Sequence, residues 1–94
     1  MDPVVVQVEG EVDMATAPQL RDTLLAAIAN DGAHAVVADL SAVSFIDSSG
    51  LHVIMSAHNA ARDAGSEFIV RAPSPNVVRV IELVGLDEWL TVEK

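Results

Sequence analysis

Runs of β-branched residues alternate along this chain with stretches whose apolar residues recur at helical spacing, and this alternation restricts the fold more tightly than any other feature. Val4 to Val8 reads as a short strand, with Val12 carrying the pattern past Gly10. Thr16 to Asn30 reads as a helix: Thr16 is a candidate N-cap, Pro18 falls in the first turn where a missing N–H is harmless, and Leu20, Leu24 and Ile28 repeat one turn apart. Asp31-Gly32 is the expected stop. Ala35 to Leu40 is nearly all apolar, as befits a strand buried on both faces. Ser48 to Ala64 is expected to form a second helix with Leu51, Ile54, Met55, His58 and Ala61 along one side, stopped by Gly65. Glu67 to Val70 is a third strand, and Ser74-Pro75 reads as the cap and first position of a third helix that runs to Val84 and ends at Gly85. Leu86 to Val92, which holds the only Trp, fits a last strand less clearly. This order implies an α/β fold with parallel crossovers, one domain over residues 1–94.

Composition removes several functions. There is no Cys, so disulfides, thiolate catalysis and Cys-based zinc sites are excluded together. No apolar run approaches the roughly 18 residues that span a bilayer, and Met-Asp-Pro-Val lacks the positive start of a signal peptide, so no membrane role and a cytoplasmic location are expected. Five basic against fourteen acidic side chains give a net charge of −9, a field that repels nucleic acid. That charge serves solubility or complements a basic patch on a protein partner.

Between the second strand and the second helix lies Ser44-Phe-Ile-Asp-Ser-Ser-Gly-Leu51, which puts two hydroxyls beside a carboxylate and a glycine where a helix begins. A serine there can cap the helix, act as a nucleophile or accept a phosphate. The nucleophile reading is weak. A hydrolase elbow needs Gly-x-Ser-x-Gly, and Ile46 stands where the first Gly belongs. The base would have to be His34, His52 or His58, and the last two read as structural. His52 and His58 sit about 120° apart around a helix, so no metal site is expected. A Gly-Lys-Ser/Thr phosphate loop is absent, and no cofactor is expected.

Capping and phosphate acceptance remain open on the residues alone. Serine is a preferred cap. Equally, a phosphate on Ser48 would face the positive end of a helix, with Gly50 leaving space beside it and an exposed strand-to-helix loop giving a kinase access. No Lys or Arg lies between Asp31 and Ala61 to neutralise it locally.

The stretch Asp39-Leu-Ser-Ala-Val-Ser-Phe-Ile-Asp-Ser-Ser-Gly-Leu51 resembles the signature of STAS domains, specifically bacterial anti-sigma factor antagonists. Gly10-Glu-Val-Asp13, Ser74-Pro-Asn-Val-Val-Arg79 and Val84-Gly-Leu86 resemble the family's other motifs, in the same order and over nearly the whole chain. The resemblance implies a STAS-type domain, with a mixed sheet of about four strands and helices packed on it. It also implies a partner-switching regulator and not an enzyme. The unphosphorylated antagonist binds an anti-sigma factor with Ser/Thr kinase activity, phosphorylation ejects it, and a serine phosphatase resets the cycle. The acceptor falls on Ser48, and Gly10, Asp13, Asp47, Ser49, Gly50, Leu51 and His52 fall on the partner-binding surface. A STAS interaction subunit that is never phosphorylated, in a signalling scaffold or a lipid-transport complex, is the alternative.

Two departures from the family pattern carry expectations of their own. Almost nothing precedes Val4 where the family has an extra strand, so the Val4–Val8 edge is expected to be open to another chain, including a homodimer partner. His52 stands where a small glycine is common, a change expected to affect which kinase fits.

Overall fold

A computed structural model of the chain describes residues 3–30 and 35–93. The elements run β1 (Val4–Val12), α1 (Ala17–Ala29), β2 (Ala35–Ile46), α2 (Ser48–Asp63), β3 (Glu67–Arg71), α3 (Pro75–Leu83), a 3-10 turn (Leu86–Glu88) and β4 (Thr91–Glu93). The helix stop at Asp31-Gly32 and His34 lie outside the described residues. The ambiguous final segment divides into the 3-10 turn and a three-residue strand.

The described sheet has the order β1-β2-β3-β4, and every pair in it is parallel. The expected four strands are present, but the sheet is not mixed. Each connection contains a helix or helical turn, and a helical crossover returns the chain in the same direction. Because the strand order never reverses, right-handed crossovers stack the helices against one face. Residues of all three helices, among them Leu24, Ile28, Ile54, Ala57, Val77 and Ile81, accordingly join Val36, Ala38, Phe68 and Val70 of that face in one core. Each fully buried Val, Leu or Ile contributes about 1.5–3 kcal/mol.

The strands run longer than their apolar cores. β1 reaches Val12 and β2 reaches Ile46, so the two pair from Val4↔Val36 to Val12↔Ile46 across two register shifts. Hydrophobic periodicity breaks at Ser41, Ala42, Ser44 and Phe45, which are exposed, while Val43 and Ile46 keep the strand anchored in the core. The polar interruption therefore marks an open face of a continuing strand.

Opposite the helices, register aligns Val5, Val37, Ile69 and Thr91. Val37 is buried there, whereas Val5 is 44% exposed. The next row is polar: Gln7, Asp39, Arg71 and Glu93, with Arg71 Nε 3.4 Å from Glu93 Oε1. Asp39 accepts the Ser41 N–H at 2.9 Å. That bond first, the Ser41 side chain next and Arg71 last hold its carboxyl below the ordinary range, against a smaller opposing effect of burial. Among the described residues β1 has no partner beyond β2, so the expected open edge is present. It carries exposed Glu9 and Glu11, charges that oppose pairing with a second copy of an acidic chain.

Candidate functional site

β2 passes into α2 through a single residue, Asp47. Its carboxylate Oδ1 accepts the backbone N–H of Ser49 at 2.9 Å and of Gly50 at 3.2 Å, and its own N–H donates to the Val12 carbonyl at 3.1 Å. Asp47 is thus the N-cap, satisfying donors that have no partner inside the helix. Ser48 is the first helical residue and lies exposed. The capping reading of Ser48 is corrected: the carboxylate next to it already does that work.

Gly50 also differs from expectation. It is buried, and a Cβ there would lie 2.6 Å from Ile46 Cγ1 and 2.7 Å from Val12 Cγ1. The missing side chain lets the first turn of α2 press onto the ends of β1 and β2, and it faces the core instead of opening space beside Ser48. Leu51, 6% exposed, is likewise a core residue. Of the α2 residues singled out in the sequence, Ser48 and His52 stand exposed and Ser49 half-buried.

The β1–α1 turn is built on another aspartate. Asp13 Oδ1 accepts the N–H of Ala15 at 2.9 Å and of Thr16 at 3.1 Å, and the Thr16 hydroxyl accepts the Asp13 N–H at 3.0 Å. Thr16 occupies the N-cap position but makes no side-chain cap bond; its hydroxyl donates instead to the Glu11 carbonyl at 3.0 Å. Ser74, expected to cap α3, also makes no such bond, and its hydroxyl is buried without a partner among the described residues. Gly10 is exposed within β1 beside a register shift, with φ of +81°, a left-handed conformation that disfavours any other residue.

Because β1 and β2 are parallel neighbours, both turns and both helix starts gather at one end of the sheet. A groove of roughly 540 Å³ lies between α1 and α2, bordered by Met14, Pro18, Arg21, Ser48, Ser49 and His52, among others. On the other flank of Ser48 and His52 a shallower depression of roughly 280 Å³ leads past Met55 to Val84 and Leu86. Asp13 and Asp47 share a third depression with Met14 and Ala15. The structure therefore brings together Asp13, Asp47, Ser48, Ser49 and His52, while Gly10 and His58 border none of these three.

Sequence reasoning missed Met14, which is 77% exposed, and Arg21. Their link to Ser48 is tertiary. The only hint available was that helices following adjacent parallel strands start side by side. Among the described residues no group of His and acidic side chains is arranged to hold a metal ion, and no helix is long and apolar enough to cross a membrane.

The STAS domain model matches residues 1–94. The chain is 30% identical over 92 residues to the anti-sigma-B factor antagonist of Listeria monocytogenes, covering 98% of this chain and 80% of that protein. It is similar in structure to an anti-sigma factor antagonist from Mycobacterium paratuberculosis, with a TM-score of 0.86 and 39% identity over 99% of this chain and 79% of that one. A third likeness, with a TM-score of 0.79 and 26% identity over 96% of this chain and 78% of the other, is to the anti-sigma factor antagonist SpoIIAA in its unphosphorylated form. With the motifs in order, the sheet and helices in place and the family model matching from end to end, this chain belongs to the STAS domain family.

Proposed function

We propose that the chain is an anti-sigma factor antagonist that switches partners through Ser48. The observation that carries this reading is the division of labour at the start of α2. Asp47 caps the helix, which leaves the Ser48 hydroxyl exposed at its first position. Relatives named anti-sigma factor antagonists, one of them solved specifically in its unphosphorylated form, support it.

Unphosphorylated, the antagonist binds an anti-sigma factor in the cytoplasm. The contact uses the end of the sheet where Asp13, Asp47, Ser48, Ser49 and His52 meet, with Met14 on one flank of Ser48 and Val84 and Leu86 on the other as apolar area to bury. The anti-sigma factor is also a serine kinase. The Ser48 Oγ attacks the γ-phosphorus of ATP, the bond to ADP breaks, and the hydroxyl proton passes to a base of the kinase. The new phosphate adds nearly two negative charges at neutral pH. Pressed against a partner, such a group must shed its water, which costs several kcal/mol unless cations meet it. A serine phosphatase restores the hydroxyl by transferring the phosphoryl group to water.

Incubation with a cognate anti-sigma factor kinase and ATP, followed by intact-mass spectrometry, tests this. One phosphate is expected on the wild type and none on Ser48→Ala. Phosphate on the Ser48→Ala protein would displace the acceptor, and no phosphate on either would leave the non-phosphorylated interaction subunit as the better reading.

A further inference from the structure

Arg21 is one of only five Lys or Arg residues in the chain, and it lies in α1, well away from Ser48 in sequence. Folding sets it in the wall of the groove that Ser48 borders. The facing wall carries His52, which follows Ser48 by four residues on α2 and so shares its side of the helix. Both side chains are exposed, and neither makes an ion pair among the described residues, where the only pairs are Arg62–Asp63 and Arg71–Glu93.

We propose that Arg21 and His52 form a receptor for the phosphate of phosphorylated Ser48, drawing it into the groove between α1 and α2. The proposal rests on the reading of Ser48 as the acceptor. A guanidinium presents a planar fork that matches two phosphate oxygens, and an imidazole N–H adds a third donor from the phosphoserine's own helix. The negative groups nearby are Asp22, which borders the groove from α1, and Asp47 and Asp13 at the two turns. The last two carboxylates already accept backbone N–H groups at the starts of their helices, which fixes where they point. Asp22 is the one that competes for Arg21. The chain as a whole is strongly acidic, so a phosphate outside the groove would meet repulsion, and the groove is where it finds Arg21 and His52. The receptor makes phosphorylation compatible with the fold and leaves a partner facing a groove with added negative charge.

Phosphoserine installed at position 48 during translation of the full chain tests this without any kinase, with the phosphate itself followed by phosphorus NMR as pH is varied. A free phosphoserine loses its second proton near pH 6, at about 6. In the wild type this titration is expected at lower pH. Arg21→Ala should raise it by about half a unit to one unit, Arg21→Lys should restore part of the shift, and 0.5 M salt should shrink it. His52→Gln should raise it too, because the phosphate loses the donor that faces it from its own helix. The helix start is the same in all these proteins, so its effect cancels. If either Arg21→Ala or His52→Gln leaves the phosphate curve where the wild type has it, the two-residue receptor is overturned. A kinase that ignores Ser48 would sink the switch reading instead and leave this titration unchanged.

Discussion

The two turns that meet at the Ser48 end of the sheet use the same device to different effect. In each, an aspartate following a β-strand accepts two backbone N–H groups from residues two and three positions on: within the turn, up to the N-cap, at Asp13, and in the first turn of the helix at Asp47. At β2–α2 the turn is one residue long, and Gly50 lets the helix sit directly on Val12 and Ile46. At β1–α1 four residues intervene, and Met14 projects 77% exposed. The first turn is sealed onto the core and holds Ser48 at a fixed place. The second stands clear of the core and presents apolar surface. The switch proposed for Ser48 needs both, because a partner needs area to bury and a modifying enzyme needs a hydroxyl in a defined position.

The largest expected effect breaks the comparison at the sealed turn. Ser48→Glu should weaken kinase binding by about 100-fold or more, a few kcal/mol, while the melting temperature and amide spectrum stay close to wild type. Calorimetric titration beside thermal melts checks it, and spectral change spread through the core would mean that the switch refolds the domain. Gly50→Ala comes next: the added methyl is expected to destabilise by about 1–3 kcal/mol, since β-branched side chains at Val12 and Ile46 have little room to yield. Denaturant melts measure it, and a neutral result would show that the first turn of α2 is looser than the packing implies.

Capping offers a finer comparison. Asp47→Ala should lose about 0.5–2 kcal/mol, Asp13→Ala a smaller amount from that range because its turn stands away from the core, and Ser48→Ala should stay within about 0.5 kcal/mol of wild type. Equal losses at positions 47 and 48 would return the cap to the serine. Smallest is the effect at Asp39, which lies away from both turns. Its carboxyl is held below the ordinary range in the fold, so it stabilises above its unfolded value of about 3.9 and loses that contribution as pH falls through the folded value. Asp39→Asn should therefore flatten the decline in melting temperature between neutral and strongly acidic pH, while the Ser48 end of the sheet is unaffected.

What was legible in the sequence was whatever depends on neighbours along the chain. The periodicity at Leu20, Leu24 and Ile28, the Pro at the start of α3 and the glycines after α2 and α3 mark elements that form where expected, because stops and amphipathic faces are local. The motif around Ser48 was equally local and marked the β2–α2 turn as the candidate site. Its internal roles did not follow from it. A serine and an aspartate in succession can each cap a helix, and only the backbone path decides which oxygen meets the Ser49 and Gly50 N–H groups. The far ends of β1 and β2 escaped the pattern because pairing between them, not hydropathy, holds Ser41 to Phe45 in an extended conformation.

By itself, then, the chain's order of elements determined an α/β domain with one hydroxyl-rich helix start, since alternating periodicities admit few other packings. Tertiary structure alone decided that Gly50 faces the core, that Met14 flanks Ser48, and that Arg21 shares a groove with Ser48 and His52. Those relations depend on two parallel strands lying side by side with their helices in contact, and distance along the chain carries no record of that proximity.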